Sequence, residues 1–125
     1  MSSIHYTLNY EPYPALESLN PGLKPLEFNV LVLVRKVAEK QGSVFIPRNT
    51  MEREEEGGDE GLLVATATRA FEELGEAPEV GAHVTFARYA GKTYVGADGR
   101  LYRIMKDKEI TGERVSEPHA AVKAA

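Results

Sequence analysis

An all-β fold, a small barrel or sandwich, is what this 125-residue chain predicts. Short apolar runs with period-two alternation recur along it, separated by glycine-bearing turns and with little helical periodicity between them. Late in the chain Ala97-Asp98-Gly99-Arg100 carries the Asp-Gly pair that favours a tight antiparallel hairpin. Together these describe several short antiparallel strands in one modest domain.

The elements follow in order. Residues 1–22 hold Pro12, Pro14 and Pro21, with Tyr6, Tyr10 and Tyr13 among polar residues. Prolines at that density oppose helix and favour extended chain. The segment therefore reads as an arm, either loose or laid along a neighbouring surface, where tyrosines give large contact area at low entropic cost. Residues 26–34 read as a strand. Phe28, Val30, Val32 and Val34 share one face, and Leu31 and Leu33 make the other apolar as well. Such a strand is buried on both sides, or covered on one side by a partner.

A loop follows, from about residue 37 to residue 61, longer than the 12–15 residues or so that structureless connections usually reach. Inside it Gly42-Ser43-Val44-Phe45-Ile46-Pro47 places three large apolar residues in polar, glycine-bearing surroundings. Each would gain roughly 1.5–3 kcal/mol on burial. Two readings are open: a buried strand or a loop tucked on the core, and a recognition loop that docks the tripeptide into a partner's groove.

Residues 62–65 read as a short strand. Residues 66–74 read as either a turn of helix stopped by Gly75 or an irregular excursion carrying Phe71. Residues 84–89 and 101–105 alternate as strands, and the tail from residue 113 has no apolar period and reads as loosely held.

Composition narrows the function. Apolar residues make up 42% of the chain and charged residues 27%, as in a globular domain. The longest strongly apolar run, residues 30–34, is far too short to span a bilayer, and residues 1–20 show no secretory pattern. The net charge of −4 is local, because residues 52–60 alone carry six acids and one base. That run reads as a solvated loop without calcium-site spacing, and no basic face suggests nucleic acid. Absence of cysteine excludes disulfides and thiolate chemistry.

Catalytic patterns are equally lacking. Gly91-Lys92-Thr93 ends like a phosphate loop, but the required earlier glycine is Phe86 and no helix follows. His5, His83 and His119 are dispersed without acids at metal-ligand spacing. No serine sits in a nucleophile elbow, and the glutamates that cluster do so in the loop, where a general acid or base lacks preorganisation. The expectation is a protein that is not an enzyme, with no metal and no cofactor.

The order of parts is more informative than any single motif. Lys24-Pro25-Leu26 and Val30-Leu31-Val32 lead to the loop with its glycine-flanked tripeptide and proline. Gly61-Leu62-Leu63-Val64-Ala65, Val80-Gly81, Val84-Thr85-Phe86, Tyr89-Ala90-Gly91, Asp98-Gly99, Tyr102-Arg103-Ile104 and Asp107-Lys108-Glu109-Ile110 follow. This series resembles the GroES (chaperonin-10) co-chaperonin family over about residues 23–112, and its residues 86–91 and 102–105 look most like members encoded by bacteriophages. The chain departs from the family pattern at Phe28-Asn29, at Thr66-Ala67-Thr68 and at Ala82.

The resemblance implies a GroES-like β-barrel domain over residues 23–112, with a mobile loop at about 37–61, an extended arm over 1–22 and a loose tail over 113–125. It implies a co-chaperonin, a cytoplasmic homo-oligomer of seven subunits, capping a GroEL-like chaperonin that supplies the ATP. Val44, Phe45 and Ile46, flanked by Gly42 and Pro47, would dock on the chaperonin's apical domain. Val30, Leu31, Val32 and Leu33, with Glu109, Ile110 and Thr111, would form the subunit interface. No nucleic acid or membrane is expected as partner. The arm suggests an alternative, a phage virion decoration or assembly protein that uses the same barrel and clamps a capsid protein with residues 1–22.

Overall fold

Five consecutive apolar residues, Val30 to Val34, need cover on both faces, and the fold supplies it by placing their strand in the middle of a sheet. The structure is a computed structural model that describes residues 10–38, 40–41, 44–45, 47–48, 55 and 58–115. Strand β1 (Asn29–Val34) is followed by two short strands, β2 (Lys40–Gln41) and β3 (Val44–Phe45). Then come β4 (Glu60–Thr66), β5 (His83–Phe86), β6 (Lys92–Val95), β7 (Leu101–Lys106) and β8 (Ile110–Glu113). The main sheet is antiparallel and six-stranded, in the order β6-β7-β1-β4-β5-β8. The all-β fold of antiparallel strands expected from the sequence is therefore the fold observed. The sheet is not closed: β6 and β8 are its two ends, with no pairing between them among the described residues.

Alternation divides β1 between two apolar layers. Val30 and Val32 join Leu63, Phe71, Val84, Phe86 and Met105 in one core. Leu31 and Leu33 join Leu62 and Tyr102 on the opposite face. An apolar outer face would be costly in water, and the arm covers it with Tyr13, Leu16, Leu19 and Leu23. Its path is extended apart from a 3-10 turn at Leu16–Ser18. Of the described part of the arm and the residue after it, Tyr13, Leu16, Leu19 and Leu23 lie along the chain's own sheet, while residues 1–9 lie outside the described residues. A register shift where β1 pairs with β4 leaves Val64 as the extra residue, a bulge that increases local twist.

Several sequence expectations need adjustment. Residues 26–28 form a turn, with Glu27 at φ 60° and Leu26 65% exposed, so the first strand begins only at Asn29. Residues 87–90 likewise turn away after Phe86, with Tyr89 at φ 63°. The Asp-Gly hairpin joins β7 to β6, a strand that apolar alternation does not reveal. Lys92-Thr93-Tyr94-Val95 is a mostly exposed edge strand, so it carries no apolar alternation to detect. Gly99 takes φ 82° there, and Asp98 Oδ1 accepts from the Arg100 amide at 3.0 Å.

Residues 67–80 form the irregular excursion and not the helical turn. Phe71 sits at φ 65° yet is buried, because the Asp107 carboxylate accepts its amide at 2.7 Å. Asp107 is itself 2% exposed and opens a second 3-10 turn, Asp107–Glu109.

Candidate functional site

β1 ends at Val34 and β4 begins at Glu60, so the chain must leave the sheet and return beside itself. Within that excursion β2 and β3 form a separate two-stranded unit, Lys40 opposite Phe45 and Gln41 opposite Val44. The backbones of Val44 and Phe45 thus pair locally and with no strand of the main sheet. They are not a strand of the core sheet, and their described partners are Lys40 and Gln41. Pro47 is exposed, while Gly42 and Ile46 lie outside the described residues.

The root of this excursion is held by specific bonds. Val37 is fully buried and its amide donates to Glu55 Oε2 at 2.9 Å. On the returning limb, the Gly58 carbonyl accepts from Arg103 Nη1 at 2.6 Å. Arg103 also donates to the Ala90 carbonyl and lies 4.8 Å from the Phe86 ring centroid. It is 2% exposed, and burial lowers its pKa from the ordinary value, partly opposed by the charge of Glu109.

The acidic run is not uniformly solvated. Glu60 opens β4 and takes a bidentate pair from Arg114, at 2.8 and 3.0 Å, with Arg35 3.7 Å away. The Arg114 hydrogen bonds hold its carboxyl below the usual value against the opposing effect of burial, with Arg35 assisting. Beside this network Tyr13 meets His83 edge to face, ring centroids 4.7 Å apart, and burial pushes the Tyr13 phenol up to about 12. A paired carboxylate and a phenol kept protonated are structural groups, not poised bases. Among the described residues no group of three or more His, Asp or Glu side chains is placed to hold a metal ion. No helix among them is long and apolar enough to cross a membrane.

The expected subunit-interface residues divide. Val30, Leu31, Val32 and Leu33 are at most 4% exposed, and β1 is hydrogen-bonded to β4 on one side and β7 on the other. Within the protomer both edges of this strand are occupied and the four side chains pack in its two cores. The sequence pattern reports burial on both faces but not which molecule supplies it. Ile110 and Thr111 are different: they lie on β8, which pairs with β5 on one side and is an end strand of the sheet. Glu109 closes the 3-10 turn before it.

Comparison with known proteins bears on the whole of this arrangement. A family model described as the chaperonin 10 kDa subunit matches residues 22–113. A protein named co-chaperonin GroES from Pelagibacter ubique is 34% identical over 94 residues, covering 71% of this chain and 93% of that protein. Another of the same name from Exiguobacterium sibiricum is 33% identical over 93 residues, covering 70% and 94%.

Proposed function

Because the chain belongs to the chaperonin 10 kDa subunit family, we propose that it is a co-chaperonin. It docks on a GroEL-like chaperonin through Val44, Phe45 and Ile46, with Gly42 and Pro47 framing them. The observation that most supports this reading is the β2–β3 unit, which carries the apolar segment away from the main sheet on a connection between β1 and β4.

The oligomer is a ring of seven, with Glu109, Ile110 and Thr111 at the subunit boundary and the available edge of β8 as the favourable place for it. One short apolar segment binds weakly, because docking fixes backbone and side-chain freedom. Seven on one ring raise the affinity through effective concentration while each contact stays reversible. The protein uses no nucleotide or metal itself; ATP acts on the chaperonin. Its place of action is the cytoplasm, the host's if the chain is phage-encoded, an origin supported by the likeness of residues 86–91 and 102–105 to phage members. The capsid-clamp alternative is not favoured, since the apolar side chains of residues 10–23 are engaged on the chain's own sheet.

The test is Phe45→Asp, measured for chaperonin association in the presence of ATP and for folding by circular dichroism. Association should be lost while the thermal transition stays within a few degrees of the parent, because a charge has no partner in an apolar groove. Unfolding of Phe45→Asp would mean that the segment belongs to the core, and undiminished association would remove it from the docking surface.

A further inference from the structure

Two separate parts of the chain converge on Val37, the first fully buried residue after β1. From the arm, Tyr10 forms an antiparallel bridge with Val37 and the Glu11 amide donates to the Lys36 carbonyl at 2.8 Å. The Arg35 guanidinium lies 3.6 Å over the Tyr10 ring, a cation–π contact that fixes the arm's end against the same stretch. From the returning limb, Glu55 Oε2 accepts the Val37 amide at 2.9 Å. Without these bonds the outgoing limb would lose its anchors at Val37, while the returning limb stays held at Gly58 by Arg103 and at Asp59 by the Phe86 amide.

We propose that Tyr10, Glu11, Arg35 and Glu55 form a clasp at the root of the loop, and that the arm is a positioning element for the β2–β3 unit. The arm precedes residue 22, where the family match begins, so the arm's half of the clasp lies outside the matched region while Arg35, Val37 and Glu55 lie within it. Closing the excursion at Val37 shortens the span between root and hairpin, and a shorter span has less freedom to lose on docking. One acid of the run thereby acquires a structural role, since Glu55 supplies an acceptor that solvent or an alanine in its place would not hold in position. The consequence for chaperonin affinity rests on the reading in the preceding subsection; the clasp itself does not.

The experiment is amide hydrogen exchange on the free, full-length protein, comparing the parent with Glu11→Pro, Glu55→Ala and Glu55→Gln. Proline at position 11 removes the amide that bonds Lys36, and alanine at 55 removes the acceptor for Val37. In both, the amides of Lys40, Gln41, Val44 and Phe45 should exchange at least about twofold faster, following the weak length dependence of loop closure. Amides of β1, β4 and β7 should be unchanged. Glu55→Gln should match the parent, because its amide oxygen still accepts. If Glu11→Pro does not fold, deletion of residues 1–11 replaces it. Unchanged hairpin exchange in the folded variants, or Glu55→Gln behaving like Glu55→Ala, would overturn the clasp. Chaperonin affinity is then measured on the same proteins. Faster hairpin exchange in a protein whose parent ignores chaperonin supports the clasp and sinks only the co-chaperonin reading.

Discussion

At Gly61 the sheet leaves no space for a side chain: a Cβ there would meet Val32 Cγ1 and the Leu33 carbonyl oxygen across the β1–β4 pair. Gly61→Ala should therefore destabilise the fold by about 1–3 kcal/mol, the usual cost of overpacking, read as a lower urea midpoint. Asp107→Ala should cost a similar amount, about 1–3 kcal/mol, because the buried Phe71 amide loses its acceptor. Phe71 would then lose the bond on its own amide and keep the one from the Leu74 amide to its carbonyl, and its ring should loosen in the core. Neither residue belongs to the β2–β3 unit, so both variants should associate with chaperonin normally at temperatures where they are folded. A variant that kept full stability but lost association would contradict this separation of core from docking surface.

The elements respond to pH through the contacts that hold them. Tyr13 titrates at about 12 folded and at the ordinary 10.0 unfolded, so its burial contributes stability that is intact below pH 10 and lost as pH rises toward 12. The arm should loosen in that window, and Tyr13→Phe should reduce the loss of urea midpoint between pH 9 and 11.5. Glu60 runs the other way. Its folded value lies below the ordinary 4.5, chiefly through Arg114, so its contribution is present above pH 4.5 and is lost as pH falls through the lower folded value. Arg114→Leu should flatten the acid limb of the stability profile; an unchanged limb would show that the ion pair is idle.

Legibility in the sequence followed from local patterns. β1, β4, β5 and β7 announce themselves by apolar alternation, and Asp98-Gly99 marks its hairpin. β6 does not, because an exposed edge strand needs no apolar face. The excursion around Phe71 and the place of β1 within the sheet both depend on distant partners, Asp107 in one case and β4 and β7 in the other. Of the proposed docking segment, the residues themselves are conspicuous in the sequence as apolar side chains in polar surroundings. Their pairing with Lys40 and Gln41 is not, since neither polar residue marks a strand. Nor could sequence show Glu55 at the Val37 amide, a bond that forms only when the whole loop returns.

For the whole molecule, one protomer offers an incomplete surface. The sheet ends in β6 and β8 without closing, and the apolar segment is carried once per chain. A single weak contact does not hold a cap, whereas several on one ring do. The central claim is therefore about an assembly, and native mass spectrometry with and without a GroEL-like chaperonin addresses it most directly. The account predicts a ring of seven 13.8 kDa chains, about 97 kDa, that joins the chaperonin only when ATP or ADP is present. A monomer or trimer that ignores chaperonin under every nucleotide condition would contradict it.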